Sequence, residues 1–322
     1  MTILPKADPN SGVDIPQLTV DTAAIVQLPE TRGFWRDLWR RFQQNRLALF
    51  GLGVLLTLVI IAIIGPTLYP TDPIRISPTY NINGFSSADN WLGTDNAGRD
   101  TLARLIEGLR VSLLVAVFVE TLNISIGATL GLLAGYFGGW LDFAISRLAD
   151  MLFAFPGLLL AILVSAVFGK VAEDQFGSIG RLLLVTGALS LVGWPLMARF
   201  VRGQTLTLRE RDFVLAARSI GATSNRIILR HILPNLAGLI VVSSTLDVAN
   251  VVISEAVLSL LGLGIQPPDS SLGIMITQAT PFLSVNWMQV FFPSAVLTLI
   301  VLSVSFVGDG LRDALDPQGL GN

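Results

Sequence analysis

Four polar residues at helical spacing interrupt one of the most apolar stretches of the chain. Ser243, Asp247, Asn250 and Ser254 share one helix face, and Glu255 lies on the adjoining one. A carboxylate at the centre of a bilayer costs about 2.5 to 3.5 kcal/mol on insertion scales, so Asp247 is expected to face a cavity or a partner helix rather than lipid. Such a stripe can hydrate a path for a polar solute, or it can hydrogen-bond neighbouring helices. Glu120 and Asn123 pose the same question in a second apolar run.

Catalysis has little to work with. The 322 residues include no cysteine and a single histidine, His231, which excludes thiol redox chemistry, haem ligation and the usual zinc sites. An embedded enzyme would need a nucleophile and base or a metal cluster. No Gly-x4-Gly-Lys-Ser/Thr phosphate loop occurs, because Gly169-Lys170 lacks both the earlier glycine and the following hydroxyl. The chain is read as a non-enzyme with no cofactor or metal of its own, and the net charge of −2 gives no hint of a nucleic-acid partner.

The elements that must position these residues follow from composition. Hydrophobic residues make up 52% of the chain and charged ones 14%, against about 25% charged in an average soluble domain. The apolar residues fall in blocks near the ~20 residues that cross a hydrocarbon core. Six spans are expected: Leu47 to Leu68, Val111 to Gly135, Met151 to Phe168, Leu182 to Ala198, Leu236 to Leu261 and Val290 to Val307. All are expected to be helical, because a helix satisfies its own backbone within the bilayer. The fold class is therefore an all-α integral membrane protein with six transmembrane helices.

Positive charge sets the expected orientation. The tail before the first span carries Lys6, Arg32, Arg36, Arg40, Arg41 and Arg46; the segment after the fourth carries Arg199, Arg202, Arg209, Arg211, Arg218, Arg226 and Arg230; Arg147 and Arg312 lie on the same side. Only Arg75, Arg99, Arg104, Arg110, Lys170 and Arg181 fall opposite, so both termini are expected to be cytoplasmic. The first thirty residues lack an apolar run and read as a tail without a cleavable signal. Phe34, Trp35, Leu38, Trp39 and Phe42 recur at helical spacing with arginines between them, which predicts an interfacial helix before the first span. The expected division is 1–33 disordered cytoplasmic tail, 34–69 interfacial helix and first span, 70–110 external loop, 111–310 five-helix core containing the cytoplasmic loop 199–235, and 311–322 cytoplasmic tail.

That cytoplasmic loop has the pattern of a docking handle, and Arg209 to Asn235 is its basic centre. Asp212 to Ile220 predicts a short helix, Gly221 a left-handed turn past its end, Thr223 or Ser224 the cap of a second helix, and Pro234 the start of the fifth span. Ala216 and Ala217 leave room for another surface, while Arg218, Arg226 and Arg230 can hydrogen-bond to acidic or backbone groups of a partner. An ordinary basic loop is the bland alternative. Before the second span, Gly93 and Gly98 permit tight turns, Asp95 and Asp100 can cap the helix beginning near Thr101, and Arg99 can pair with either acid. This motif, with Thr94, either shapes the mouth of a pathway or touches a delivered molecule. Gly127, Gly131 and Gly135 line one face of the second span and predict close packing of a neighbouring helix.

The spacing Ala216-Ala217, Gly221, Ile232-Leu233-Pro234 resembles the Glu-Ala-Ala loop of permease subunits of bacterial ATP-binding cassette importers. Leu215 stands where that pattern has its glutamate, and His231 where many members have an aliphatic residue. Three further segments resemble the second, C-type membrane subunit of the dipeptide, oligopeptide and nickel branch. They are Trp91-Leu92-Gly93-Thr94-Asp95-Asn96-Ala97-Gly98-Arg99-Asp100, Leu260-Leu261-Gly262-Leu263-Gly264-Ile265-Gln266-Pro267-Pro268, and Gly308 to Pro317. The resemblance implies a type I importer (MetI-like) permease fold in a bacterial inner membrane. It also implies a homologous sister permease, two ATPase subunits supplying ATP and Mg chemistry and docking on Ala216, Ala217, Arg218, Gly221, Leu233 and Pro234, and an external solute-binding protein. The implied function is import of di- or oligopeptides by alternating access. Nickel or another small solute is the alternative cargo, and an ion-coupled secondary transporter is the remaining alternative class.

Overall fold

A computed structural model describes residues 34–76, 90–267 and 269–315; the expected disordered tail 1–33, positions 77–89 of the expected external loop 70–110, Pro268 of the motif after the fifth span, and positions 316–322 of the expected C-terminal tail, with Asp316 and Pro317 of its motif, lie outside them. Helices α1 (Phe34–Phe42), α2 (Arg46–Leu68), α3 (Thr101–Phe137), α4 (Gly139–Phe153) and α5 (Gly157–Arg209) are followed by the short α6 (Asp212–Ser219) and α7 (Ser224–Ile227). A π-helical turn (Ile228–Ile232) leads into α8 (Leu233–Leu260), and α9 (Leu272–Ala279) and α10 (Met288–Leu315) complete the order. Among the described residues the only β pairing is two isolated bridges, Ile76 with Arg99 and Thr94 with Asp100.

Five helices are long and apolar enough to cross a membrane: α2, α3, α5, the continuous stretch Ser224–Leu260, and α10. The expected third and fourth spans both fall on the 53-residue α5, which is not straight. Gly177 adopts φ 59° and ψ −143°, outside helical geometry and open to glycine. The chain folds back there: Arg181 reaches Glu173 at 3.1 Å, and a Cβ added to Gly157 would lie 2.5 Å from Val192. The arms 157–176 and 178–209 thus supply two of the six expected spans. Their boundaries need correction, because the first residues of the expected third span, 151–153, belong to the last turn of a separate helix, α4, which begins at Gly139 beyond the expected second span. Pro156 disfavours helix in the residue before it, so α4 stops at Phe153 and α5 starts afresh at Gly157.

Two other boundaries also move. The second-span helix begins at Thr101 rather than Val111, because Asp100 Oδ1 accepts the Ala103 amide at 2.7 Å and caps it there. The last helix runs through Leu315, so the start of the expected tail is helical.

Helix α3 is central to the packing. Its glycine seam lies along the second arm of α5: a Cβ on Gly127 would stand 2.7 Å from that of Met197, one on Gly131 2.5 Å from the Ala198 carbonyl oxygen, and one on Gly135 2.7 Å from Thr205 Cβ. Glycine lets these backbones touch, which strengthens dispersion contacts where no water-driven force is available. Nearer the start of α3 than the seam, Leu58, Leu109, Val115, Val119, Val185, Val252, Leu258 and Ile300 form one apolar core. Gly308 and Gly310 in turn bring α10 against Leu246 and Ala48.

Gly131→Leu is expected to destabilise the chain by about 1 to 3 kcal/mol through overpacking against backbone. Gly203→Leu, at a position with no atom within 4 Å of an added Cβ, should leave stability nearly unchanged. Thermal unfolding of the detergent-purified chain checks the pair.

Candidate functional site

The 209–235 loop folds as its sequence predicts in its first half. Helix α6 spans Asp212–Ser219, and Gly221 sits at φ 84°, the left-handed turn expected of it. Thr223 precedes α7, although its side chain makes no capping hydrogen bond. The second half differs. Pro234 does not begin a separate helix; α7, the π turn and α8 are continuous from Ser224 to Leu260. Proline has no N–H to return to Arg230, and the wider π turn absorbs that missing bond.

The two alanines part company. Ala217 is buried in the chain's own core with Val214, Ile227, Ile228 and Ile232, against Leu132, Tyr136 and Val201 of α3 and α5. It is not open to another protein. Leu233 also packs on this core. The outward surface is Phe213, Leu215, Ala216, Ile220, Gly221 and Leu229, with Ile220 86% exposed. Arg218 lies outside with its guanidinium 5.9 Å from the Tyr136 ring. Arg209 donates to the carbonyls of Gly135 and Tyr136 at 3.3 and 3.2 Å, which satisfies the end of α3. Beside it, Arg202 grips Asp142 of α4 through both oxygens. Those hydrogen bonds, opposed by partial burial, hold the Asp142 carboxyl below the usual carboxylate range.

At the other end of α3, Gly93 and Gly98 take φ 75° and 79°, as expected of turn glycines. The two acids divide their work. Asp100 caps α3 and accepts the Tyr69 hydroxyl at 2.8 Å; burial, then this acid, pushes the Tyr69 phenol up. Asp95 is no cap. It accepts the Ala97 and Arg99 amides at 2.9 Å, Arg99 Nε at 2.8 Å, and Arg104 at 2.9 Å. Arg104, which the sequence did not single out, is 1% exposed and also donates to Gln278 of α9 at 3.0 Å. Gln289 of α10 donates to the Thr94 carbonyl at 2.9 Å. The 91–104 segment is thus clamped to α9 and α10.

The polar face of α8 is divided as well. Asp247, Asn250 and Ser254 line a cavity of about 270 Å3 with Asn123, Gly193 and apolar residues from both arms of α5. Glu255, expected on the same pathway, is not among its lining residues. It is fully buried: Ser112 of α3 donates to it at 3.0 Å and Ser259 at 2.8 Å, and Ser259 contacts Ser271 at the cap of α9. Its place on the adjoining helix face turns it toward α3 instead of the cavity.

These features agree with a family match. The model of the binding-protein-dependent transport system inner membrane component matches residues 127–318. The chain belongs to this family. A second model, the N-terminal transmembrane domain of oligopeptide transport permease C, matches residues 33–87. The chain is 41% identical to a dipeptide transport system permease protein of Bacillus subtilis, over 88% of this chain and 86% of that one. It is 38% identical to the dipeptide permease of Alkalihalophilus pseudofirmus, over 88% and 90%. It is 40% identical to a glutathione transport system permease of Pectobacterium atrosepticum, over 92% and 95%. An inward-facing MetNI methionine ABC transporter structure shares the fold, with TM-score 0.52 and 20% identity over 66% of this chain and 97% of that one. The chain is therefore a C-type permease with the MetI-like helical fold.

Arg104→Ala is expected to cost about 3 kcal/mol, the low end for breaking a buried ion pair, because Asp95 keeps Arg99. Arg110→Ala, whose contact with Glu107 is 3.8 Å and half exposed, should change stability by less than about 0.5 kcal/mol. Denaturation of the purified chain distinguishes the two.

Proposed function

We propose that this chain is the membrane subunit of an ATP-driven peptide importer and forms half of the translocation path beside a homologous sister permease. Two ATPase subunits dock on α6, an external binding protein delivers the peptide, and both termini face the cytoplasm. The names of the relatives support peptides as cargo. The observation that carries the coupling role is the continuity of α7 and α8, which joins an exposed apolar docking surface to the helix bearing Asp247.

In this reading the chain performs no chemistry of its own and converts a rigid-body displacement into alternating access. ATP closes the ATPases, α6 is carried with them, and α8 tilts to open the cavity outward; hydrolysis returns it. Phe213, Leu215 and Ile220 offer the ATPase cleft an apolar contact. Leu215, at the place of the family's glutamate, shifts that contact from polar to apolar.

Gly221 is the sensitive point. A Cβ there meets no neighbour within 4 Å, but φ 84° strains any other residue by about 1 to 2 kcal/mol. Gly221→Val should insert and assemble normally yet lose stimulation of ATP hydrolysis by the loaded binding protein. Normal stimulation in the reconstituted variant would contradict the coupling role.

A further inference from the structure

Among the groups that the transport reading leaves unexplained, one cluster beside the cavity has fewer hydrogen-bond donors than acceptors. Glu120 of α3 is 5% exposed and Asn123 is 1% exposed. Asn123 Nδ2 donates to Glu120 Oε2 at 3.4 Å, which leaves Glu120 Oε1 and Asn123 Oδ1 buried with no partner. Asp247 of α8 comes within hydrogen-bonding reach of both residues. No Lys or Arg among the described residues contributes to the surroundings of either carboxylate.

Buried polar atoms are ordinarily paired, and buried acceptors without donors demand an explanation. The cluster is built to stay open: a Cβ on Gly193 would run into the Asn123 amide, 2.7 Å from its Cγ, so glycine at 193 gives Asn123 its place. Gly193, Asn123 and Asp247 line the 270 Å3 cavity, and Glu120 lies behind them, held by Asn123. What is missing is a compact donor carrying positive charge. A primary ammonium presents three N–H donors and one charge, which matches converging acceptors from a carboxylate pair and an amide. A multivalent metal fits less well, since no group of three or more His, Cys, Asp or Glu able to hold one occurs among the described residues.

We infer that Glu120, Asn123 and Asp247 form a transit site for the primary ammonium group of the transported solute. The inference rests on the peptide-import reading, because a peptide carries such a group at its amino end. It assigns the permease itself a recognition step after the binding protein has released its cargo. Of the remaining polar residues of the face, Asn250 and Ser254 line the same cavity and Ser243 does not.

The test uses the full complex in nanodiscs, without binding protein, titrated with alanyl-alanine, propylammonium, N-acetyl-alanyl-alanine and sodium chloride, and read by calorimetry. The two ammonium ligands should bind saturably and the acetylated peptide should not. Glu120→Gln and Asp247→Asn should each weaken alanyl-alanine binding at least about tenfold, as loss of a charge-assisted hydrogen bond requires. Thr57→Ala, on α2 and outside the cavity lining, should bind within about twofold of the parent. Should either acid variant fail to assemble, the contrast between free and acetylated peptide on the parent complex still decides. Absence of saturable binding, equal binding of the acetylated peptide, or the same response to sodium chloride overturns the inference. Uptake of alanyl-alanine into proteoliposomes with binding protein and ATP separates the two levels. Uptake without direct binding removes the ammonium site and keeps the importer. Ammonium binding without uptake of any peptide does the reverse.

Discussion

The apolar joint between α6 and the helices above it is the constraint on which the rest of the structure depends. Val214, Ala217, Ile227, Ile228 and Ile232 bury themselves against Leu132, Tyr136 and Val201, so α6 is part of the helical body instead of a tethered loop. Close packing of this kind has low compressibility and transmits displacement. Because α7 continues through a π turn into α8, a displacement of α6 has a direct course to the polar face at Asp247. A flexible linker at Pro234 would have dissipated it.

The far end of the molecule complements that joint. Arg104, Asp95, Arg99 and Gln278 tie the start of α3 to α9, and the hydroxyl cage around Glu255 ties α3 to α8 and the cap of α9. With these groups paired internally, the acid left lining the cavity is Asp247, with Glu120 buried beside it. One sequence stripe therefore yields two environments: Glu255 as a buried brace, and Asp247 on the wall of a cavity.

Local rules made much of this legible in the sequence. Gly93, Gly98 and Gly221 do take left-handed turns, Asp100 does cap α3, and the seam from Gly127 to Gly135 does receive a close neighbour. Each depends on residues a few positions apart. The unread features all depend on distant partners. Arg104 meets Gln278 across 174 positions, and nothing within its own turn of helix advertises that. Ala217 looked like half of a docking pair until the tertiary fold buried it. Glu255 and Asp247 differ only in which neighbour their faces meet, and helical spacing does not name neighbours. The fold-back at Gly177 falls in the gap expected between the third and fourth spans, whereas the π turn escaped notice because Pro234 reads equally well as a helix start.

Spin-label distances in the proposed complex test the central claim, that α6 and α8 move as one body. The native chain has no cysteine, so the pairs Ser219 with Leu239 and Ser219 with Ile60 can be labelled cleanly after substitution to cysteine. The account predicts that trapping the ATPases closed leaves the 219–239 distance unchanged and shifts 219–60. A changed 219–239 distance with 219–60 unmoved would mean that motion of α6 is absorbed at the π turn and never reaches the polar face.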